Sequence, residues 1–208
     1  MYNFTFNIPT KIHFGKDTIS SLSELKAYGS KVLLVYGGGS IKKNGLYDTA
    51  MKILKDAGLT VFELSGVEPN PKIETVRKGV EICKNEGIDM VLAIGGGSTI
   101  DCSKVVAAGA KYDGDAWDLV LDGSKVKAAL PIFDVLTLSA TGTEMDPFAV
   151  ISDMSKNEKW GTGSPYMVPT MSILNPEYTF SVSKKQTAAG TADMMSHTME
   201  NYFSMENA

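Results

Sequence analysis

An aspartate and a histidine late in the chain have the residue types and the spacing of metal ligands. Asp193 and His197 lie four residues apart, so a helix would place both side chains on one face, one turn apart. A carboxylate and an imidazole arranged in this way can share one divalent metal ion. Two ligands do not complete such a site, and on the residues alone a solvated helical pair is the simpler interpretation.

A glycine-rich segment upstream could bind phosphate. Residues 95–98, Gly-Gly-Gly-Ser, follow an apolar run and precede a helical pattern. Glycine lets the backbone approach a phosphate closely, and a helix that begins at this point directs free N–H groups at an anion. The pattern therefore indicates a pyrophosphate contact through Gly96, Gly97 and Ser98. The spacing is not G-x-G-x-x-G, so the usual dinucleotide fingerprint is absent and a plain tight turn is the alternative.

A second segment of the same composition, Gly-Gly-Gly-Ser at residues 37–40, follows an earlier apolar run. Because loops at the carboxyl ends of parallel strands line one crevice, both segments could contact one dinucleotide. The residues concerned are Gly38, Gly39 and Ser40. No acidic residue that could bind a ribose 2′-hydroxyl occurs in residues 37–45. Lys42 and Lys43 stand there instead, which favours NADP(H) over NAD(H) unless the two lysines are only a solvated helix start.

The elements that must position these residues alternate regularly between short apolar runs and helical patterns. Such alternation, with short connections, predicts a parallel sheet covered by helices on both faces. The expected strands are residues 31–36, 60–64, 89–94, 131–138 and 171–174, and the expected helices are residues 46–57, 72–85 and 99–110.

Both ends of the chain depart from this alternation. Residues 2–7 and 11–14 have the pattern of two extended segments, which we expect to form an N-terminal β-hairpin. Such a hairpin could pair with the sheet edge of a second subunit and so make a homodimer, or it could pack against its own domain. From Ser183 onward the pattern is helical. We therefore expect a dinucleotide-binding domain over residues 1–180 and the first helix of a truncated helical domain over residues 181–208.

The composition excludes several classes of protein. The chain has 208 residues, of which 43% are hydrophobic and 21% charged, as in ordinary globular proteins. A net charge of -4 offers no basic surface for nucleic acid, and no apolar run is long enough for a membrane span. No secretory signal is visible, and Cys83 and Cys102 are too few for a disulfide framework. We expect a cytoplasmic protein with neither nucleic acid nor membrane as partner.

Several motifs, taken together and in order, resemble the iron-containing (group III) alcohol dehydrogenases, most closely their butanol dehydrogenase branch. The matching segments are residues 14–15, 36–45, 67–71, 95–104, 138–144 and 190–197. The resemblance implies a Rossmann-like, doubly wound α/β domain followed by an all-helical domain. It also implies an NAD(P)-dependent oxidoreductase that acts on a small primary alcohol or aldehyde, with a divalent metal, Fe²⁺ or Zn²⁺, in the cleft between the domains.

The resemblance also assigns roles by position. Asp193 and His197 are similar to the first two metal ligands of the family, and no other catalytic residue can be assigned. Lys159 is similar to a lysine near the ribose, and Asp101 lies near the nicotinamide end, whereas Lys104 has no settled role. The positions that match cofactor contacts are Gly38, Gly39, Ser40, Asn70, Gly96, Gly97, Ser98, Asp101, Thr137, Ser139, Thr141 and Lys159.

The chain departs from the family pattern in one respect. Members supply two more metal-binding histidines from the helical domain and are about twice as long, by the same resemblance. The only histidine besides His197 is His13, in the N-terminal segment. We therefore expect an N-terminal fragment with an incomplete metal site. A non-catalytic dinucleotide-binding module is the main alternative to an enzyme, and a polyol dehydrogenase or a dehydroquinate-synthase-like lyase of the same fold is another.

Overall fold

Eight strands and six α-helices make up the computed structural model, which describes residues 3, 5 and 7–204. The strands are β1 Lys11–Phe14, β2 Lys31–Tyr36, β3 Thr60–Leu64, β4 Met90–Gly95, β5 Ile132–Leu136, β6 Phe148–Asp153, β7 Glu158–Gly163 and β8 Met171–Leu174. The helices are α1 Ser40–Lys43, α2 Leu46–Asp56, α3 Ile73–Glu86, α4 Gly97–Gly109, α5 Ala116–Leu121 and α6 Lys184–Phe203. Short 3₁₀ helices cover Thr18–Tyr28, Gly123–Lys125, Pro165–Met167 and Pro176–Thr179.

Six strands form one parallel sheet in the order β1-β8-β5-β4-β2-β3. The central strands β4 and β5 are buried along their whole length, which explains why their sequences are continuously apolar instead of alternating. One apolar cluster, which includes α3 and α4, covers one face, and a second, with α2 and the 3₁₀ helix Thr18–Tyr28, covers the other. The expected α/β sheet with helices on both faces is confirmed.

The N-terminal strand has a partner that the sequence did not predict. β1 pairs in parallel with β8, and Lys11 lies opposite Met171. The other arm of the expected hairpin, residues 2–7, lies partly outside the described residues, which leave out positions 1, 2, 4 and 6. Because β1 is the last strand on its side of the sheet, its outer edge faces no other strand of the described structure.

A small antiparallel hairpin and a long terminal helix complete the structure. The hairpin joins β6 to β7, with Phe148 opposite Gly163, and it packs beside α4 and α5. Helix α6 begins after Ser183, whose side-chain oxygen accepts a hydrogen bond from the Gln186 N–H, as expected for an N-cap. None of the described helices has the length and hydropathy of a transmembrane span.

Candidate dinucleotide and metal site

The glycine turn 95–98 joins β4 to α4 at the carboxyl edge of the sheet. A Cβ on Gly95 would lie 2.4 Å from the Thr99 hydroxyl, so only glycine fits there without moving the helix. Gly96 is the N-cap of α4 and Gly97 its first residue. The first N–H groups of a helix lack partners within it, so this turn directs free donors and the positive end of the helix dipole toward the edge of the sheet.

The loop after β5, residues 137–147, lies directly against this turn. The Thr137 N–H donates to the Gly95 carbonyl oxygen at 2.9 Å. A Cβ on Gly96 would lie 3.3 Å from the Leu138 Cβ, and one on Gly97 would lie 3.3 Å from the Thr141 hydroxyl oxygen. The structure therefore brings the glycine turn 95–98 together with Thr137 and Thr141, and their contact with a cofactor stays a prediction. A side chain added at Gly96 or Gly97 would therefore reduce the space between the turn and this loop.

A fully buried lysine fixes this loop, and the sequence did not reveal it. The Lys104 ammonium group, with no exposed side-chain surface, shares its three N–H donors among four oxygens at 2.8 Å: the Thr143 hydroxyl, the Asp146 carboxylate and the backbone oxygens of Asp146 and Phe148. Burial lowers the pKa of Lys104 while the Asp146 carboxylate opposes that shift. Lys104 thereby ties the loop to the helix that starts at the glycine turn 95–98.

Asp101, one turn before Lys104, belongs to the same network. Its carboxylate accepts a hydrogen bond from the Thr143 hydroxyl at 2.6 Å and another from the Val150 N–H at 2.9 Å. Burial raises the pKa of Asp101, and these two hydrogen bonds oppose the shift. Both oxygens are therefore engaged within the protein, so Asp101 supports the loop beside the candidate cofactor site, and its contact with the nicotinamide end stays a prediction.

The glycine turn 37–40 lies at the same edge of the sheet, at the end of β2, the strand next to β4. Gly38 and Gly39 have open space where a Cβ would be, and Ser40 is exposed at the start of α1. Lys42 is not directed freely into solvent, because its ammonium group lies over the rings of Tyr36 and Tyr47. Within the described residues Lys43 makes no ion pair.

Two further predicted residues meet although they are far apart in sequence. The Lys159 ammonium group, on β7, donates to the Asn70 side-chain oxygen at 2.7 Å. Asn70 has a φ of 55°, a left-handed conformation that asparagine tolerates better than most residues. The pair is exposed, so both side chains can reach a ligand that enters from solvent.

The candidate metal ligands lie on one face of α6. The Asp193 Oδ1 and the His197 Nε2 are 3.6 Å apart, and the His197 Nδ1 is 3.6 Å from a carboxylate oxygen of Glu200. All three side chains are more than half exposed. Across the part of the chain that the structure describes, no three His, Cys, Asp or Glu side chains are grouped so as to hold a metal ion. Two ligands are therefore the most that this part of the chain offers, and the role of Asp193 and His197 as metal ligands stays a prediction.

Helix α6 and the loop after β5 face each other across a cavity of about 210 Å³. Ser139, from the loop, and Gly190, from the helix, both line it, together with Thr179 and Met194. Ser139 also lines a neighbouring cavity of about 230 Å³, whose walls include Leu136 and Glu144. The loop after β5 and the helix that carries Asp193 and His197 therefore line one cavity.

One protein family matches most of the length of this chain. A model of the family described as iron-containing alcohol dehydrogenase matches residues 9–176. The chain belongs to this family. The resemblance found in the sequence motifs is therefore confirmed.

Relatives and solved structures of the family extend this match over nearly the whole chain. NADH-dependent butanol dehydrogenase A of Clostridium acetobutylicum is 62% identical over 205 residues, which are 98% of this chain and 53% of that protein. The NADPH-dependent aldehyde reductase YqhD of Escherichia coli is 40% identical over 205 residues, which are 97% of this chain and 52% of that protein.

A solved structure agrees with the fold described above. The crystal structure of NADH-dependent butanol dehydrogenase A from Thermotoga maritima has a TM-score of 0.93 and is 49% identical, and the match covers 98% of this chain and 52% of that one. The chain spans about half the length of the curated relatives it matches.

Proposed function

We propose that this chain forms the dinucleotide-binding part of an NAD(P)H-dependent oxidoreductase that acts on a small primary alcohol or aldehyde. The observation that carries the proposal is the contact between the glycine turn 95–98 and the loop after β5, whose Ser139 shares a cavity with Gly190 of α6, the helix that carries Asp193 and His197. Membership of the iron-containing alcohol dehydrogenase family supports the same assignment.

The chain's own residues bind and orient the cofactor in this proposal. Backbone N–H groups of Gly96, Gly97 and Ser98 bind the pyrophosphate, because the helix N-terminus favours an anion there. Asn70 and Lys159 bind a ribose, and their mutual hydrogen bond fixes both side chains before the ligand arrives. Further cofactor contacts are assigned to Thr137, Ser139 and Thr141 in the loop after β5.

The metal half of the site is assigned to α6. Asp193 and His197 would supply two ligands to a divalent ion, Fe²⁺ or Zn²⁺, which when bound polarises the substrate oxygen as a Lewis acid. The carboxylate and imidazole suit either metal, and their 3.6 Å separation lets both project toward one point. The chain's own contribution is to hold this pair on one face of α6, the helix that shares a cavity with the loop after β5.

The choice between the two dinucleotides depends on the glycine turn 37–40. Residues 37–45 contain no carboxylate that would repel a 2′-phosphate, and Ser40 and Lys43 are free to bind one, so NADP(H) is expected to bind more tightly. The margin is expected to be less than tenfold, about 1.4 kcal/mol or below, because Lys42 is engaged by two aromatic rings. The relatives include enzymes named for either cofactor. Coincident NADPH and NADH titration curves would rule out the preference.

The binding assignment is tested by a Gly97→Ala variant. Its added Cβ would lie 3.3 Å from the Thr141 hydroxyl and would narrow the proposed pyrophosphate site, so we expect NADPH affinity to fall at least about tenfold, a loss of about 1.4 kcal/mol. Gly161→Ala, whose Cβ would meet open space, is the matched control. Fluorescence titration with NADPH measures both. Equal affinities in the two variants would contradict a cofactor site at the glycine turn 95–98.

A non-catalytic dinucleotide-binding module is the second candidate, favoured by the lack of a three-ligand cluster within the described residues. Metal analysis combined with NADPH-dependent reduction of butanal separates the two. Stoichiometric metal that is lost in a His197→Ala variant, together with turnover, supports the enzyme. Tight NADPH binding without metal or turnover supports the module.

We further infer a cytoplasmic homodimer. The outer edge of β1 faces no strand of the described structure and could pair with a second copy, and two buried free cysteines agree with a reducing compartment. Light scattering of the purified protein tests the dimer, and a monomer at micromolar concentration would contradict it.

A further inference from the structure

A charged cluster around Glu63 lies beside the glycine turn 37–40. Glu63, on β3, accepts hydrogen bonds from the Tyr36 hydroxyl at 2.6 Å and the Tyr47 hydroxyl at 2.8 Å. The Lys42 ammonium group lies 3.9 Å from the Glu63 carboxylate and 4.4 Å from the centre of the Tyr47 ring. These four side chains are called the Glu63 cluster below.

The framework of the cluster is rigid. Tyr36 is the last residue of β2 and is almost fully buried. Its ring packs edge-on against the Tyr47 ring of α2, with 5.7 Å between centres. The two hydroxyl groups lower the pKa of Glu63, that of Tyr36 most strongly, so the carboxylate is charged at neutral pH. A fixed negative charge and two electron-rich ring faces together form a binding site for one ammonium group.

The cluster adjoins the part of the loop that would meet the adenosine ribose. Tyr36 directly precedes the glycine turn 37–40, and Lys42 follows Ser40 by two residues on α1. Lys42 is thus one of two lysines available to a phosphate on the ribose, and it is the one that the Glu63 cluster holds. Lys43 is exposed and makes no ion pair within the described residues.

We propose that Glu63 determines the cofactor selectivity of this chain by holding Lys42 away from the ribose 2′-phosphate. The proposal rests on the proposed function, since it requires a nicotinamide dinucleotide at the glycine turn 37–40. A 2′-phosphate carries charge that NADH lacks, so the Glu63 cluster acts on NADPH alone, both by occupying Lys42 and by adding a carboxylate nearby. Residues 37–45 contain two lysines and no acidic residue. Because Glu63 holds one of these lysines, the loop binds NADPH only slightly more tightly than NADH.

A Glu63→Gln variant tests the proposal. The amide keeps the shape and can still bond both tyrosine hydroxyls, but it no longer neutralises Lys42. We expect NADPH to bind about five- to tenfold more tightly, as for the loss of one nearby like charge at a protein surface, with NADH affinity changed by less than about twofold. A Glu63→Gln/Lys42→Met double variant should lose the gain. Glu81→Gln removes an exposed charge from α3 and serves as the matched control.

Two single lysine variants test the same idea without changing Glu63. Because Lys42 is withheld and Lys43 is free, Lys43→Met should weaken NADPH binding about fivefold, whereas Lys42→Met should change it by less than about twofold. Fluorescence titrations with NADPH and with NADH measure both. An unchanged NADPH-to-NADH ratio in Glu63→Gln, or Lys42→Met as damaging as Lys43→Met, would overturn the proposal. A wild-type chain that binds neither dinucleotide would instead refute the proposed function.

Discussion

Lys104 shows how a single side chain can hold a binding loop in place. Its ammonium group shares three N–H donors among four oxygens, three of which belong to residues that are 42 or 44 positions further along the chain. Burying an ammonium group without hydrogen-bond acceptors destabilises the folded state, and leaving buried oxygen acceptors without a donor destabilises it as well. The loop after β5 therefore depends on a residue whose neighbours in sequence give no sign of that role.

Replacing Lys104 with methionine should destabilise the protein by about 3 kcal/mol, because three residues would lose their donor in a water-poor site. The loop over the glycine turn 95–98 should loosen as well, so NADPH affinity should fall in the same variant. Urea unfolding measures the first effect. Lys78→Met, on the exposed face of α3, is the control and should lie within about 0.5 kcal/mol of wild type. A Lys104→Met variant as stable as this control would contradict the argument.

Asp134 lies in the middle of β5, and the structure indicates that it is neutral. The Ser172 hydroxyl oxygen is 2.5 Å from the Asp134 Oδ2 and 2.7 Å from the Glu144 carbonyl oxygen, but one hydroxyl proton can serve only one of them. Both contacts are satisfied if Asp134 is protonated and donates to Ser172. Burial raises the pKa of Asp134 well above its ordinary value and Glu144 adds to the shift, whereas a hydrogen bond donated by Ser172 to the ionised carboxylate and the charge of Lys104 oppose it.

This protonation makes stability depend on pH with a definite sign. Between the ordinary aspartate pKa and the raised one, the native state holds a proton that the unfolded chain has released, so the free energy of unfolding falls as pH rises. Asp134→Asn cannot ionise, and its stability relative to wild type should increase between about pH 5 and about pH 8. Urea unfolding at both pH values measures it, with Asp113→Asn, at an exposed position, as control. Parallel pH dependences of Asp134→Asn and wild type would contradict the assignment.

At the scale of elements, the packing of α3 against α4 depends on a glycine in the middle of a helix. A Cβ on Gly79 would lie 2.6 Å from a Val106 methyl carbon and 2.8 Å from one of Leu64. Glycine is a poor helix residue, by about 1 kcal/mol relative to alanine. The close approach of α3 to α4 and β3 therefore requires glycine at position 79, and this requirement outweighs the low helix propensity of glycine.

We expect Gly79→Ala to lower the free energy of unfolding by about 1–2 kcal/mol, since overpacking exceeds the gain in helix propensity. Lys78→Ala, one position away on the solvent face of α3, should be neutral or slightly stabilising. Thermal unfolding of both variants gives the comparison. A Gly79→Ala variant more stable than Lys78→Ala would contradict this argument, because α3 and α4 would then move apart at little cost in free energy.

The sequence predicted elements whose signal is local. Strand β2, Lys31–Tyr36, is an apolar run of the right length, and the glycine turn 95–98 stands between such a run and a helix, so both were found. The pairing of β1 with β8 was not, because no local pattern specifies a partner so distant in sequence. Lys104 and Glu63 were missed for the same reason: each becomes informative only when residues from other elements surround it.

At the scale of the whole molecule, α6 differs from every element of the sheet. None of its 20 residues is buried, and its large apolar side chains Met194, Met195, Met199, Tyr202 and Phe203 are exposed. An isolated helix of this length is only marginally stable in water. The candidate metal pair is thus carried by a helix that, within the described residues, has no buried side chain.

Hydrogen exchange should reveal this difference. We expect the amides of α6 to exchange faster than those of β4 and β5, which are buried throughout, because local opening of α6 exposes little apolar surface. Mass spectrometry of peptides from each element provides the measurement. Protection of α6 equal to that of β4 would mean that the helix is held by contacts other than those described.

The pairing of Lys11 with Met171 also bears on the order of events as the chain leaves the ribosome. Strands β2, β3 and β4 can associate early, since all three precede residue 96. Strand β1 cannot join the sheet until β8 has emerged, because β8 separates it from β5. Contacts of such high sequence separation form slowly. The nascent protein must therefore keep β1 unpaired within this sheet, and open to chaperones, while residues 15–170 are synthesised.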